Sequence, residues 1–470
     1  MVRINVTESV EVDLEKIKKV YVIGIKGSGV VALVEILTAM KIEVTGSDTH
    51  EKFFTEEVLK KIGIKYFEEF SPKNIPDDVD LIIYSTAYNE ENNSEFREAK
   101  SRELPMVSYP EMLGLLFNEK YGIAVCGTHG KTTTSAMLAE IMKYAGADPT
   151  AVIGSRVRQW GSNALSGKGE YFVIEADEFQ NKFRYYDPKA VILTSIDYDH
   201  PDYYKNFSEY KQAFFDFVAK IPRAGFLVVW GDSADTNDVA CGCQCEIIKY
   251  GFMADNDLIA KNHYFQGLHQ EFDAWFLDKS LGHFEINLPG KHNVLNALSV
   301  ISVCHKLRMD MEKVREALKN FQGTSRRFEI VGERNGAILI DDYGHHPEEI
   351  KATLKAAREI YPEKNIIAVF HPHSYSRTEA LLHDFAQSFD SADQVIVLDI
   401  YGSAREESGN VSSEDLVKLI NKYNYGKAEY VPTIKEAVEF LKDRVGGNDV
   451  VLAIGAGNVN EVAEELREKN

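Results

Sequence analysis

YGIAVCGTHGKTTTSAMLAEIM, residues 121–142, sets a β-type apolar run against a glycine-bearing loop and then an apolar-periodic stretch. That order predicts a buried strand, a tight turn and a helix starting near Thr132. Glycines in the turn let the backbone curl until consecutive N–H groups face an anion, and the helix adds its positive end at the same point. Within GTHGKTT, Gly127, Thr128, His129, Gly130, Lys131, Thr132 and Thr133 therefore form a candidate nucleotide-phosphate loop. Lys131 would reach the terminal phosphates and Thr132 would offer its hydroxyl to Mg2+. The loop is shorter than the common G-x4-G-K-[ST] form, and GKT alone is a frequent accident; the strand before it and the helix after it carry the assignment.

The same punctuation recurs on both sides. VYVIG (20–24) meets a glycine cluster and then VVALVEILTAM (30–40), while EVTGSD (43–48) and LIIYSTA (81–87) end further strands. YFVIEAD (171–177) and AVILTSID (190–197) continue the middle unit. GAILIDDYGHHP (336–347) opens a third, with strands at IIAVFHP, QVIVLDIY and VVLAIGAG separated by helical stretches such as TEALLHDFAQSF. Strands alternating with helices imply parallel sheets, so the expected class is α/β in three domains. The expected spans are 1–118, 119–322 and 323–470, the outer two Rossmann-like and the central one a P-loop-type nucleotide domain.

A length of 470 residues exceeds what one hydrophobic core usually organises, in keeping with several domains. The chain is 44% hydrophobic and 27% charged, and no run approaches the roughly 18 apolar residues of a membrane helix. MVRINVTESVEVDLEK at the amino terminus mixes acids and bases without an apolar core, so a cytoplasmic address is expected. A formal charge of -20 speaks against nucleic acid and anionic membranes as partners, but leaves small phosphates open to local backbone donors. The five cysteines fit a reducing compartment. Cys241, Cys243 and Cys245 lack the C-x2-C spacing of structural zinc sites, so they are expected as free thiols in or beside a strand.

Mg2+ at a nucleotide needs one or two donors besides the loop threonine. Glu175, ending one strand, and His200, ending AVILTSIDYDH, stand at carboxyl ends of strands, where open α/β sheets place ligands. Each has an ordinary alternative, a helix-capping acid and a turn histidine.

Taken together, GTHGKTT, EADE (175–178) and DHPD (199–202) resemble the central domain of the Mur ligase family. The resemblance implies that Lys131, Glu175 and His200 serve phosphate and metal, with Thr132, Glu175 and His200 as the metal set. It continues in GKHNVLNAL (290–298), implying adenine contacts by Asn293 and Asn296, and in GTSRRFE (323–329), implying a nucleotide contact by Arg327; Asp342 joins that set.

The first unit carries IGIKGSGV (23–30) and GSD (46–48), which resemble the UDP-binding end of the family's alanine-adding branch. Gly24, Gly27, Ser28 and Gly29 would admit a pyrophosphate to the helix start, with Ser47, Asp48 and Ser85 nearby. A strict G-x-G-x-x-G fails because Lys26 stands at the middle glycine, and a nicotinamide dehydrogenase would leave GTHGKTT unexplained. DDYGHHP and HPHSYSRT (371–378) resemble the same branch. Arg377 would clamp an amino-acid carboxylate. Tyr343 would limit the pocket, and His345 would line the reaction centre.

The implied reaction is ATP-dependent joining of L-alanine to the lactyl carboxylate of UDP-N-acetylmuramate through an acyl phosphate, with Lys131, Glu175, His200, His345 and Arg377 as the working residues and a monomer or weak homodimer as the assembly. The alternative is attachment of a preformed tripeptide to the same UDP-sugar. Departures from the family pattern are FQNKF (179–183) where a serine-rich stretch is usual, Ser195 for an asparagine, and Phe214 where many members carry a carbamylated lysine, with Lys211 close by.

Overall fold

The strand Tyr121–Cys126 is enclosed along nearly its whole length and lies between two parallel neighbours, Tyr171–Glu175 and Ala190–Leu193. A strand covered on both faces must be apolar throughout, which is why it shows no alternation. The computed structural model describes residues 3–7, 10–51, 53, 55–402, 406 and 408–467. Its middle sheet has ten strands, parallel in the centre, extended at one edge by Ser162–Ser166 and at the other by an antiparallel meander, Leu258–Gln266, His269–Phe276 and Lys279–Ile286. The sequence reading missed the meander, whose strands follow one another with no helix between them. Helix Lys131–Tyr144 covers one face and packs on Lys291–Lys306 and Met311–Asn320.

The first sheet is parallel, ordered Lys65–Phe67, Glu43–Ser47, Lys19–Ile23, Leu81–Tyr84 and Met106–Ser108. Strand order reverses beside Lys19–Ile23, which opens a crevice over Gly24–Gly29. The third sheet runs Glu329–Arg334, Ala337–Asp342, Asp449–Ile454, Asn365–Phe370, Gln394–Val397 and Ala428–Tyr430, antiparallel only at the first pair. All three units are thus α/β with parallel sheets. Arg3–Thr7 and Val10–Asp13 pair as a small hairpin ahead of them. Among the described residues no helix is long and apolar enough to cross a membrane.

Three local expectations need correction. TEALLHDFAQSF is not one helix; Tyr375–Ala380 and Leu382–Ala386 are separate, broken at Leu381, whose φ of -112° leaves the helical range. The strand before DHPD stops at Leu193, so His200 sits in the loop beyond it, at φ 55°. Cys243 and Cys245 are joined as a disulfide, where free thiols were expected: they lie in a turn that draws their Cα atoms to 5.4 Å, which an extended strand would not do. Cys241 stays free and exposed.

The first unit closes with helix Tyr109–Asn118, which leans on the turn Phe179–Tyr185. A Cβ at Gly114 would fall 2.4 Å from the Tyr185 carbonyl oxygen. Gly114→Ala is expected to cost about 1–3 kcal/mol through overpacking at this junction; an unchanged urea midpoint would show that the contact does not hold the two units together.

Candidate active site

Two glycines allow the 127–133 loop to close. Gly127 has φ 131° and Gly130 φ 79°, and a Cβ would lie 2.2 Å from Thr194 Oγ1 at the first and 2.7 Å from Asn296 Oδ1 at the second. Gly130 caps helix Lys131–Tyr144 without a side-chain hydrogen bond. The loop is tied to the neighbouring strand end: Thr128 N donates to Ser195 O (2.9 Å), His129 N to Ser195 Oγ (3.0 Å), and Thr194 Oγ1 to His129 O (2.5 Å). Peeling of Thr194 and Ser195 out of the strand to hold the loop is what ends that strand early.

Lys131 Nζ donates to Gly127 O at 2.6 Å and Thr128 O at 3.2 Å, and pairs with Glu178 at 3.1 Å. Burial opposes its charge, but Glu178, Asp177 and Glu175 outweigh burial and raise its pKa. Glu175 accepts from Thr132 Oγ1 (2.8 Å) and Gly154 N (2.5 Å), and burial raises its carboxyl despite Lys131 nearby. His200 instead stands with Asp177 and Glu178, the ligand atoms of all three lying within 4.8 Å of one another. The expected set of Thr132, Glu175 and His200 therefore divides: a Thr132–Glu175 pair, and His200 with two acids not singled out in advance. Glu178 is fully buried and also accepts from Tyr210 Oη at 3.0 Å.

Two cavities of about 550 Å³ each flank the loop. Gly130, Thr132, Arg327 and Glu349 line both, so they form the shared wall. His129, Thr133, Asn293, Asn296 and Asp342 line only the first, together with Trp230, Tyr250 and His292. Asn296 Nδ2 donates to Asn293 Oδ1 at 3.0 Å, which holds the pair in register. Asp342 accepts from Phe328 N and Gly344 N, both at 2.8 Å. The second cavity takes Thr128, Lys131, Glu175 and His200 from the middle domain and Tyr343, His345 and Arg377 from the third. Ser28 and Gly29 enter it from the first.

Arg377 is buried and already paired: its Nε donates to Asp199 Oδ1 at 2.8 Å. Burial opposes the Asp199 charge, but Arg377 outweighs it and holds the carboxyl well below the usual range. His129 lies between Asp197 (3.3 Å) and Glu349 (3.2 Å), linking the phosphate loop to the third domain, with the His346 ring tilted against it at 4.8 Å. Burial would lower its pKa, but Asp197 and Glu349 push it up to about 9. His345 takes the opposite course; burial dominates and lowers it to about 3.

In the first unit the structure explains Lys26. Its side chain is buried and turned away from the glycine turn, donating to Thr49 O and Glu51 O at 3.0 Å and pairing with Glu56 at 2.8 Å. Ser47 is fully enclosed and bonds to Glu95, and Asp48 accepts from Lys26 N at 2.6 Å. Asp48 thereby braces the turn, and neither side chain lines the second cavity. Gly24, at φ 81°, is covered by Tyr88 and Ser85, each within 3 Å of where its Cβ would be. Gly27 precedes the helix that Ser28 opens. Of the departures, Ser195 holds the loop, Lys182 of FQNKF pairs with Asp177 and lines the second cavity, Phe214 is wholly buried, and Lys211 bonds Asp235 and Asp238.

The arrangement defines a class: a phosphate-loop enzyme whose reaction space is built from three α/β domains. Models of the Mur ligase family, catalytic domain (residues 19–121), the Mur ligase middle domain (125–304) and the Mur ligase, glutamate ligase domain (326–457) match the chain. A UDP-N-acetylmuramate–L-alanine ligase of Caldanaerobacter subterraneus subsp. tengcongensis is 41% identical over 98% of this chain and 99% of its own. One from Desulfitobacterium hafniense is 40% identical over 95% and 99%. The solved UDP-N-acetylmuramate-alanine ligase of Thermotoga maritima superposes with TM-score 0.80 at 27% identity, covering 95% of this chain and 98% of that one. The chain belongs to the Mur ligase family.

The His129 contacts carry a pH dependence. Because its pKa is raised in the fold, its stabilisation is complete below the ordinary histidine value and is lost as pH rises through about 9. The melting temperature of the wild type should therefore converge on that of His129→Asn between pH 6.5 and 9.5; curves that stay parallel across the range would remove His129 as an interdomain link.

Proposed function

We propose that this chain is an ATP-dependent ligase that forms the amide between the lactyl carboxylate of UDP-N-acetylmuramate and L-alanine, releasing ADP and phosphate, in the synthesis of peptidoglycan precursors. One juxtaposition carries the reading: Lys131 of the phosphate loop, Ser28 and Gly29 of the first domain and Arg377 of the third line a single cavity. The full-length likeness to alanine-adding relatives supports the choice of amino acid.

ATP takes the first cavity, with adenine beside Asn293 and Asn296 and the phosphates running past Gly130 and Arg327 to the shared wall. The UDP-sugar enters over the Gly24–Gly29 turn. The residues present fit Mg2+, since Thr132 and Glu175 offer hard oxygen donors 2.8 Å apart and Asp177, Glu178 and His200 converge next to Lys131. Bound there, the ion would neutralise charge on the ATP phosphates.

A lactyl carboxylate oxygen attacks the γ-phosphorus, the bond to ADP breaks, and an acyl phosphate results. Lys131 holds the charge that spreads over the phosphoryl oxygens. The alanine amine then adds to the carbonyl carbon, phosphate departs with the C–O bonding electrons, and the proton given up by the nitrogen passes to the departing phosphate. Arg377 exchanges Asp199 for the alanine carboxylate, a bidentate pair that aims the amine. His345 remains uncharged at neutral pH because of its burial, so it places no repelling charge beside that amine. Tyr343 bounds the side-chain space. Most of the acceleration is positioning, as the protein supplies no covalent nucleophile.

Phosphate release with UDP-N-acetylmuramate and ATP should be fastest with L-alanine among L-alanine, glycine, L-serine and the tripeptide, and Lys131→Ala should lower it by about 10²–10³-fold or more. Preference for the tripeptide would transfer the chain to the recycling reaction, and full activity of Lys131→Ala would end the phosphate-loop assignment.

A further inference from the structure

Away from the cavities, the outer strands of the meander gather histidines and carboxylates that the ligase reaction does not use. Glu271 lies directly opposite Glu285, and Asp273 opposite His283, across strands His269–Phe276 and Lys279–Ile286. Strand alternation places His269 on the same face. Like charges facing each other across a strand pair repel unless a cation sits between them. His269 Nε2 points at that gap, 2.9 Å from Glu271 and 3.8 Å from Glu285.

The ring's other nitrogen settles the tautomer. Asn287 Nδ2 donates to Lys319 O at 2.8 Å, so the atom Asn287 turns to His269 Nδ1, at 3.1 Å, is its oxygen. An acceptor there makes Nδ1 the protonated nitrogen, and Nε2 then presents its lone pair to two carboxylates. That contact is repulsive until a second proton or a metal ion occupies it. A histidine whose distal N–H is fixed by an outer oxygen is the arrangement that orients imidazole for metal binding.

We propose that His269, Glu271 and Glu285 form a binding site for a divalent transition ion of the Zn2+ type, through imidazole Nε2 and one oxygen from each carboxylate. The three ligand atoms lie within 4.8 Å of one another, and the side chains are exposed enough to draw in to bonds of about 2.0–2.2 Å. His283 is placed to give a fourth ligand: its Nδ1 faces Asp273 at 3.0 Å and its Nε2 lies 3.5 Å from Glu271. Two nitrogens and two carboxylates suit Zn2+ over the oxygen-preferring Mg2+. Two cations compete for the place: a proton on His269, favoured by Glu271, and Lys319, whose Nζ is 2.9 Å from Glu285. The ion would brace the strand pair beside Gln270, which donates to Leu288 O (2.5 Å) and Gly290 O (3.0 Å) at the root of the helix carrying Asn293 and Asn296.

Calorimetric titration of the full chain with zinc chloride tests this, with His269→Gln, Glu271→Gln, Lys319→Ala and, as a control for the acids beside Lys131, His200→Gln. One equivalent is expected that binds more tightly at pH 8 than at pH 6, weakens at least tenfold in His269→Gln and Glu271→Gln, survives in His200→Gln and tightens in Lys319→Ala. Unchanged Mg2+-supported phosphate release in His269→Gln shows that the variant is folded. Zinc binding of the same stoichiometry and affinity in His269→Gln, or its loss only in His200→Gln, overturns the site.

Discussion

A buried ammonium group cannot be left without counter-charge, and most of the middle domain's reaction face is organised around that fact at Lys131. Glu178 meets it directly, and Glu178 is in turn held by Tyr210, whose hydroxyl also lies 2.9 Å from Thr128 Oγ1 in the same loop. Tyr204 donates to the Glu178 carbonyl at 2.7 Å. The loop, the EADE turn and the DHPDYY segment are thus one hydrogen-bonded unit. Joined, they hold a positive charge in place at the wall of the second cavity, where little solvent reaches it.

The two interdomain junctions differ in chemistry. Between the first and middle domains an apolar cluster is shared, Leu113, Leu116 and Phe117 with Phe172, Phe183 and Tyr186, with Phe117 meeting Phe172 at 5.6 Å, and hydrogen bonds such as Asn163 Nδ2 to Ser28 O (3.1 Å) and Asn118 Nδ2 to Tyr185 O (3.1 Å) border it. The third domain keeps its apolar clusters to itself and meets the middle domain through ionic and hydrogen-bonded contacts, Arg377 with Asp199, Glu349 with His129, and His346 with the Tyr198 carbonyl. Polar contacts exchange readily with water and substrate. The Arg377–Asp199 pair lies on that polar seam, so the exchange of partners proposed for Arg377 would take place between the domains.

The α/β class was legible because its signal is local: apolar run, glycine turn, periodic helix. The loop glycines, Lys131 and Thr132 could be picked out for the same reason, since their geometry is set by neighbours in sequence. Glu178, Asp199 and Glu349 could not, because what distinguishes them is a partner 47, 178 or 220 residues away, brought close only by the fold. Glu178 was within sight as the last acid of EADE, and Asp199 as the residue before His200, but nothing local says which acid turns inward. Lys26 shows the converse: the sequence marks it only as an interruption of the glycine pattern, and the fold pairs it with Glu56. The meander escaped notice because its strands follow one another without intervening helices, outside the strand–helix alternation that was followed along the chain, although Gly267 marks its first turn.

The central claim is that the carboxylate is activated as an acyl phosphate in the cavity shared by Lys131 and Arg377. Single-turnover reaction of UDP-N-acetylmuramate carrying oxygen-18 in its lactyl carboxylate, with ATP and L-alanine, tests it most directly by mass analysis of the released phosphate. The account predicts one labelled oxygen in that phosphate for each amide formed. Amide formation with unlabelled phosphate would contradict it.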